Sequence, residues 1–383
     1  MAQQYSTTRT LDEYLFTANQ INPVQNPLSR GLDPLQRLDY LDLTIRGVLT
    51  ETGAPPAANI IFSSNANRDQ FLDAVFSNIR FYSSVVGDPI RNLSLSEICF
   101  LVQRVNADFI QTNLPTPGLP APFASGSTFT VNISIPFRLD NAAVLSQYAP
   151  RASQFSDGGL STTCGTGTFT DGAGTNWTVD PTTRVEWRLR GPVVPFETKV
   201  SPLCYEKYTN TGIAEFPAGM YLSLDNHTDS AVAAYGTTGG ASAGCRIDID
   251  GETSVNMNDF APLDRVGAMI SEGPDPTAWD TDALFSGGTA QPAYIWDRVG
   301  VPIFYLAVSA LTFGFPVVKK RLVIEPGANW AATINYLATR VKRLSEIADA
   351  PRCGAGISGP GVTVPAPSGP TSTASVPFQP KTN

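Results

Sequence analysis

The sequence is poor in the residues from which enzymes and metal sites are usually built. Its 383 residues include a single histidine, His227, and five cysteines that stand far apart without any C-x-x-C pair. A structural zinc site needs several closely spaced ligands, and an odd number of cysteines cannot form a complete disulfide framework. His227 follows the end of a predicted strand, where an exposed loop residue is expected. We therefore predict free thiols, no cofactor, and no catalytic, cofactor-binding or metal-binding residue.

Loops that resemble ion-binding or phosphate-binding motifs fail on spacing. The segment 246–257 places Asp248, Asp250 and Gly251 as a calcium loop would, but Arg246 and Met257 stand at its first and last ligand positions. The glycine-rich segments at 164–174 and 239–244 lack the spacing of a phosphate-binding loop. We interpret the first of these segments as a turn between strands and the other two as loops.

Charge is also scarce, and the balance is acidic. Charged residues make up 16% of the chain, with 34 acidic and 26 basic residues and a net charge of −8. Direct binding of nucleic acid would need a strongly basic face, so we expect none. Basic residues gather at 319–321 and again at Arg340, Lys342 and Arg343. These residues could form a solvated strand edge, or they could contact anionic lipid headgroups or a neighbouring subunit.

Residues 299–318 form a long, strongly apolar stretch without charge, and its length would suit a membrane span. It contains two prolines and two glycines, however, and it divides into two short apolar runs. Such runs are typical of strands that are covered on both faces. We predict core strands here rather than a transmembrane helix. The N-terminal residues do not resemble a secretory signal, so we expect synthesis in a cytoplasm.

The chain is rich in turn residues and in alternating patterns. Its 32 glycines and 31 prolines are spread along the whole length, which favours many short strands over long helices. Apolar and polar residues alternate at 41–50, at 128–138 and at 184–190, as they do in half-buried strands. Two strand-rich blocks of β-sandwich size result. The predicted organisation is an N-terminal arm (1–35), a first block (36–152), a connector or exposed loop rich in Gly, Ser and Thr (153–177), a second block (178–345) with a long loop region (230–290), and an extended tail (346–383).

Three segments carry a resemblance to a known family. They are "FLDAVFSNIRFYSSVVGDPIRNLSLSEICFLV" at 71–102, "STFTVNISIPFRLDNAAVLSQ" at 127–147 and "FPAGMYLSLDN" at 216–226. In order and pattern the chain resembles the double jelly-roll major capsid proteins of tectivirus-like, membrane-containing icosahedral bacteriophages. The resemblance implies an all-β fold with a few short helices, in which two eight-stranded jelly rolls stand side by side.

The same resemblance implies a structural function. Proteins of this family form homotrimeric, pseudo-hexagonal capsomers that tile an icosahedral shell over an internal membrane. The expected location is therefore the virion, after synthesis in the host cytoplasm. Expected partners are further copies of the chain, neighbouring capsomers, penton and minor capsid proteins, and membrane lipid through the N-terminal arm.

Two other classes of function remain open at this stage. A β-sandwich of this kind could be a receptor- or glycan-binding protein such as a spike or an adhesin. It could also be a jelly-roll enzyme acting on carbohydrate, because a pair of catalytic carboxylates is a spatial feature that a sequence does not reveal. The scarcity of chemical motifs favours a protein that assembles.

Overall fold

Strands dominate the computed structural model of the chain. All described residues belong to the first of two units into which the chain separates, Met1–Ala348 and Asp349–Asn383. The all-β class with a few short helices is thereby confirmed. The structure describes residues 6–53, 60, 65–105, 125–137, 149–193, 203–226, 245–249, 253–256, 302–305, 315–326 and 333–341.

A six-stranded antiparallel sheet forms one layer of the N-terminal half. Its strands follow the order β1-β10-β3, with β6 on the far side of β3 and the short β9 and β8 continuing beside the end of β3. The alternation predicted from sequence is confirmed, since Leu41, Leu43 and Ile45 are buried while the residues between them are not. The six strands are β1 (Ser6–Leu15), β3 (Tyr40–Glu51), β6 (Thr128–Pro136), β8 (Thr168–Thr170), β9 (Asn176–Val179) and β10 (Arg184–Pro192).

Four further strands of this half form the facing layer, in the order β2-β7-β4-β5. From β1 to β4 the chain alternates between the two sheets, β4 and β5 form a hairpin in the facing layer, and β6 and β7 again lie in opposite sheets, which is the connectivity of a jelly roll. Aromatic side chains fill the core between the layers: the rings of Phe76 and Trp187 lie 5.4 Å apart, and those of Phe81 and Phe155 lie 4.3 Å apart. These strands are β2 (Ile21–Gln25), β4 (Phe76–Ser83), β5 (Gly87–Leu93) and β7 (Gly159–Cys164).

The C-terminal half extends this second layer. One of its strands, β11, pairs with β5 in parallel, with Tyr205 opposite Ile90 and Glu206 opposite Arg91. The sheet then continues antiparallel in the order β11-β17-β12-β16-β13-β14, and β15 also pairs with β12. The strands are β11 (Leu203–Asn210), β12 (Ala214–Asn226), β13 (Cys245–Ile249), β14 (Thr253–Asn256), β15 (Pro302–Tyr305), β16 (Phe315–Pro326) and β17 (Ile334–Val341).

Two helices of eleven residues each, α1 (Asn65–Val75) and α2 (Leu95–Val105), pack against this framework. Every residue of α2 from Leu95 to Val102 is buried, which is the pattern of a helix covered on all sides. The helix begins after Ser94. Ser94 and Glu97 form a reciprocal capping box, in which each side chain accepts the backbone N–H of the other residue.

The predicted N-terminal arm is wrong for residues 6–25. These residues form β1 and β2, which are edge strands of the two layers of the jelly roll. Leu11 and Phe16 are 1% and 2% exposed, so the sparse apolar residues of this segment do reach the core. The polar side chains around them fit an edge position, where one side of the strand faces solvent.

The predicted connector at 153–177 is also wrong. It contains β7, β8 and most of β9, with Thr162, Cys164 and Trp177 buried. Its glycines serve packing, since a Cβ on Gly165 would lie 2.0 Å from the carbonyl oxygen of Asp73. The first jelly roll therefore extends to β10, beyond residue 152. The C-terminal bounds of the second block stay a prediction, and the tail at 346–383 lies outside the described residues.

The long uncharged stretch at 299–318 contributes strands, as predicted. Its described residues form β15 and the beginning of β16, and residues 306–314 lie outside the described part of the chain. Within the part of the chain that the structure describes, no helix is long and apolar enough to cross a membrane.

Candidate assembly surfaces

The outward side of the six-stranded sheet carries polar residues on three adjacent strands. We call this surface the polar face. Its members alternate with the buried residues of β3, β6 and β10, so the outward direction predicted for the charged residues of β3 and β10 is confirmed. The polar face comprises Tyr40, Asp42, Thr44, Arg46, Thr130, Asn132, Ser134, Arg184, Glu186, Arg188 and Arg190.

Asp42 is the centre of one cluster on the polar face. Arg190 binds it with both ends of its guanidinium group, with Nε at 2.9 Å from Oδ2 and Nη2 at 3.1 Å from Oδ1. Ser134 donates a third hydrogen bond to Oδ1 at 2.6 Å. The guanidinium of Arg190 also lies 4.0 Å from the centre of the Tyr40 ring. The hydrogen bonds with Asp42 raise the pKa of Arg190.

Glu186 is the centre of a second cluster. Arg188 donates two hydrogen bonds to its carboxylate, at 2.6 and 2.7 Å, and Thr10 of β1 donates another at 3.0 Å. The hydrogen bonds from Arg188 lower the pKa of Glu186. The side chains of Arg188 and Glu186 are 41% and 18% exposed, and such exposed pairs contribute only about 0–1 kcal/mol each. Their main effect is that the charges of Arg188 and Glu186 offset each other.

A third group of contacts joins the two halves of the chain. Lys207 of β11 donates a hydrogen bond of 2.6 Å to Glu97 of α2, whose other carboxylate oxygen accepts the backbone N–H of Ser94. Tyr205 of β11 is buried and donates a hydrogen bond of 2.6 Å to the carbonyl of Pro136 at the end of β6. Together with the parallel pairing of β5 and β11, these contacts fix the second half to the first.

Asp73 of α1 also supports the N-terminus of α2. Its Oδ1 accepts the backbone N–H of Ser96 at 3.1 Å. Burial raises the pKa of Asp73 to about 6, although hydrogen bonds from Ser96 and Ser94 act in the opposite direction. The charge on this side chain therefore changes within an accessible range of pH.

The second half contains a buried ion pair that the sequence did not reveal. Arg340 of β17 donates hydrogen bonds of 2.9 and 3.1 Å to the carboxylate of Glu206 on β11, and both side chains are 2% exposed. Tyr208 donates a further hydrogen bond to Glu206. Both interpretations of the basic residues, a solvated edge and a contact with lipid or a neighbour, are therefore wrong for Arg340. The side chains of 319–321 and residues 342–343 lie outside the described part of the structure.

Chemical sites are not evident in the described residues. No group of three or more His, Cys, Asp or Glu side chains there could hold a metal ion. In the segment that resembles a calcium loop, β13 and β14 pair as a hairpin, which confirms a turn between strands. His227 lies outside the described residues, as does the segment GASAG at 240–244, which has G-x-S-x-G spacing. The absence of catalytic, cofactor-binding and metal-binding residues stays a prediction.

Comparison with solved structures identifies the architecture. The STIV MCP, a double jelly-roll major capsid protein, superposes with a TM-score of 0.52 and 11% identity, over 89% of this chain and 98% of its own. The chain has the double jelly-roll fold. In the atomic structure of Sulfolobus Turreted Icosahedral Virus, a chain matches with a TM-score of 0.51 and 9% identity, over 89% of this chain and 92% of its own.

Sequence comparison adds nothing to this fold assignment. No protein-family model matches the chain, and no curated protein matches it. The double jelly roll accounts for the first-half connectivity, in which β1, β10, β3 and β6 face β2, β7, β4 and β5. At this level of identity the likeness concerns the fold alone, and function has to be argued from the surfaces.

Proposed function

We propose that the chain is the structural major capsid protein of an icosahedral virus and that it has no catalytic activity. The observation that carries this proposal is the double jelly-roll fold, which covers 89% of this chain and 98% of the STIV MCP. No observation favours the alternative of a receptor- or glycan-binding protein.

The proposed unit of assembly is a homotrimeric capsomer located in the virion shell, in contact with neighbouring capsomers and other virion proteins. The polar face supports contacts of this kind, because its clusters around Asp42 and Glu186 are already paired, so a contact over them would bury no lone charge at these two sites. The contacts between β5 and β11 support a rigid protomer. A rigid protomer loses little conformational entropy when it is incorporated into a lattice.

We further propose that the shell surrounds an internal membrane. The net charge of −8 supports an inner surface that does not bind nucleic acid directly. Residues 6–25 are strands of the first jelly roll, so lipid contact is not assigned to them.

The native mass of the purified protein tests the proposal. We expect size-exclusion chromatography with light scattering, without detergent, to give three chain masses, and electron microscopy to show shells under assembly conditions. A stable monomer that forms no particles at any concentration would contradict the capsid proposal.

Deletion of residues 354–383 separates folding from assembly. This segment contains six prolines and a single charged residue, Lys381, and it falls within the separate unit Asp349–Asn383. We expect the truncated protein to form a folded trimer with an unchanged melting temperature and to assemble shells poorly. A truncated protein that fails to fold would show that the tail belongs to the core.

A further inference from the structure

One end of the polar face concentrates positive charge. Arg184 of β10 lies directly opposite Arg46 of β3, and the row continues to Leu15 of β1 on one side and to Thr130 of β6 on the other. All four residues are exposed, with 70% of the Arg184 side chain and 54% of Leu15 accessible to solvent. Like charges that face each other across two strands are destabilising, so the fold itself does not require this arginine pair.

Arg46 and Arg184 lack the strong ion pairs of the other two arginines of the polar face, each of which binds a carboxylate through two hydrogen bonds. Within the part of the chain that the structure describes, Arg46 forms no hydrogen bond or ion pair, although its charge helps to lower the pKa of Glu186. Arg184 lies 3.6 Å from Glu13, measured from Nη1 to Oε1, and solvent screens this contact because both side chains are more than half exposed. The row therefore retains the capacity to bind a further carboxylate.

The polar face has the opposite sign of charge from the rest of the protein. It contains four arginines and two carboxylates, so its net charge is +2. The whole chain has a net charge of −8, which leaves −10 for all the other residues. Two polar faces that met each other would therefore repel, whereas the polar face of one copy is attracted to the acidic remainder of another.

We propose that Arg46 and Arg184 bind a carboxylate on a different surface of a second copy of this chain. The inference rests on the proposed capsid function and deepens it by assigning one contact within the capsomer. A contact between two different surfaces is heterologous, so it can repeat around a closed ring and leave every copy in the same orientation. A homotrimer in a shell requires that arrangement.

Coverage of the row by a neighbour makes the carboxylate necessary. A contact that covered Arg46 and Arg184 without an acidic partner would bury two unpaired charges of the same sign, which is strongly unfavourable. An aspartate or glutamate placed between two guanidinium groups receives charge-assisted hydrogen bonds from both. Leu15, at the end of the same row, adds apolar contact area next to them.

Neutral substitutions test the contact. We expect Arg46→Gln and Arg184→Gln each to weaken self-association about fivefold in sedimentation velocity, and added salt to weaken the wild type more than either variant. The matched control is Arg91→Gln, which removes the same charge from an exposed position on β5, in the other sheet, and should associate as the wild type does. The melting temperatures of Arg46→Gln and Arg184→Gln should equal or exceed that of the wild type, because each substitution removes one of two opposed charges.

The carboxylate itself can be identified with Arg46→Lys, which keeps the charge and supplies an amine. A carbodiimide joins such an amine to a carboxylate that is in direct contact with it. In a mixture of isotope-labelled and unlabelled protein, we expect mass spectrometry to show a mixed cross-link from the introduced lysine to an aspartate or glutamate outside the polar face.

Each outcome decides the question. If Arg46→Gln and Arg184→Gln associate like the wild type, or if the introduced lysine forms cross-links only within one chain, the contact does not exist, whether or not trimers and shells form. Lower melting temperatures of both variants would show a structural role for the arginines and overturn the proposal. Arginine-dependent binding to vesicles that contain phosphatidylserine, with unchanged self-association, would overturn it by assigning the row to anionic lipid. If the two arginines support association into species other than trimers and no shells form, the capsid proposal fails and the contact stands.

Discussion

Replacement of Asp73 by Asn should make the protein more stable at neutral pH and remove one source of its pH dependence. The Asp73 carboxyl has a pKa of about 6 in the folded protein against 3.8 in the unfolded chain. A raised folded pKa means that the folded state binds this proton more tightly. The stability that the proton provides is fully present below pH 3.8 and is lost as pH rises through 6.

The size of the effect follows from the shift. A difference of about 2 pKa units corresponds to about 3 kcal/mol between full protonation and full ionisation. About 2 kcal/mol of this stability is lost between roughly pH 4.5 and 7.5, because the rest has already been lost by pH 4.5. The amide oxygen of the introduced asparagine can still accept the N–H of Ser96, so the cap of α2 is preserved.

Urea denaturation of Asp73→Asn and of the wild type at a series of pH values measures how their difference in stability depends on pH. The unfolding free energy of Asp73→Asn minus that of the wild type should increase by about 2 kcal/mol between about pH 4.5 and 7.5. The control is Asp157→Asn. Asp157 is exposed, and hydrogen bonds from Ser84 lower its pKa, so it titrates below this range and its difference should stay constant between about pH 4.5 and 7.5. A difference for Asp73→Asn that stays constant with pH would refute the assignment of a raised pKa to Asp73.

Two other perturbations have clear expected outcomes. Arg340→Met leaves the carboxylate of Glu206 buried without its ionic partner, so we expect a loss of about 3–5 kcal/mol in denaturant unfolding, and the Glu206→Gln change in the same protein should recover part of it. Gly191→Ala places a Cβ 1.8 Å from the carbonyl oxygen of Arg37 and should prevent stable folding, as judged by soluble yield and circular dichroism. Gly174→Ala has an open site and a φ of +81°, so it should cost only about 1 kcal/mol, and equal losses for both glycine variants would contradict the packing argument.

The strands that could be predicted from sequence are those whose faces differ along their whole length. In β6, four apolar residues alternate with Thr, Asn and Ser, and the structure buries the apolar set. The same holds for β10, where Val185, Trp187 and Leu189 face the core between charged residues. A period of two is a local property, so it needs no knowledge of the partner strand.

The strands that were missed depend on their neighbours. In β7, the buried residues include Thr162 and Cys164, which resemble loop residues in sequence. The hydroxyl of Thr162 forms hydrogen bonds of 3.0 Å with Asn22 and with Tyr14. These partners lie 140 and 148 residues earlier in the chain. A polar residue can be buried when such partners are supplied, and local composition does not show whether they are.

For the assembly surfaces, the sequence predicted which way side chains point but not which of them pair. The outward direction of the charged residues on β3 and β10 followed from alternation, but the pairing of Asp42 with Arg190 depends on which strands are neighbours. For Arg340 the basic run around it suggested exposure, whereas Glu206, 134 residues away, makes burial possible.

The pairing of β1 with β10 sets a time for folding during synthesis. Ser6 lies opposite Pro192, so the first strand to leave the ribosome finds its partner only after almost half of the chain has been made. At a translation rate of about 5–20 residues per second, this wait lasts roughly ten to forty seconds. The charges of Arg9, Asp12 and Glu13 on β1 therefore matter most before the protein is complete, when neighbouring ribosomes on one message carry the same unpaired strand.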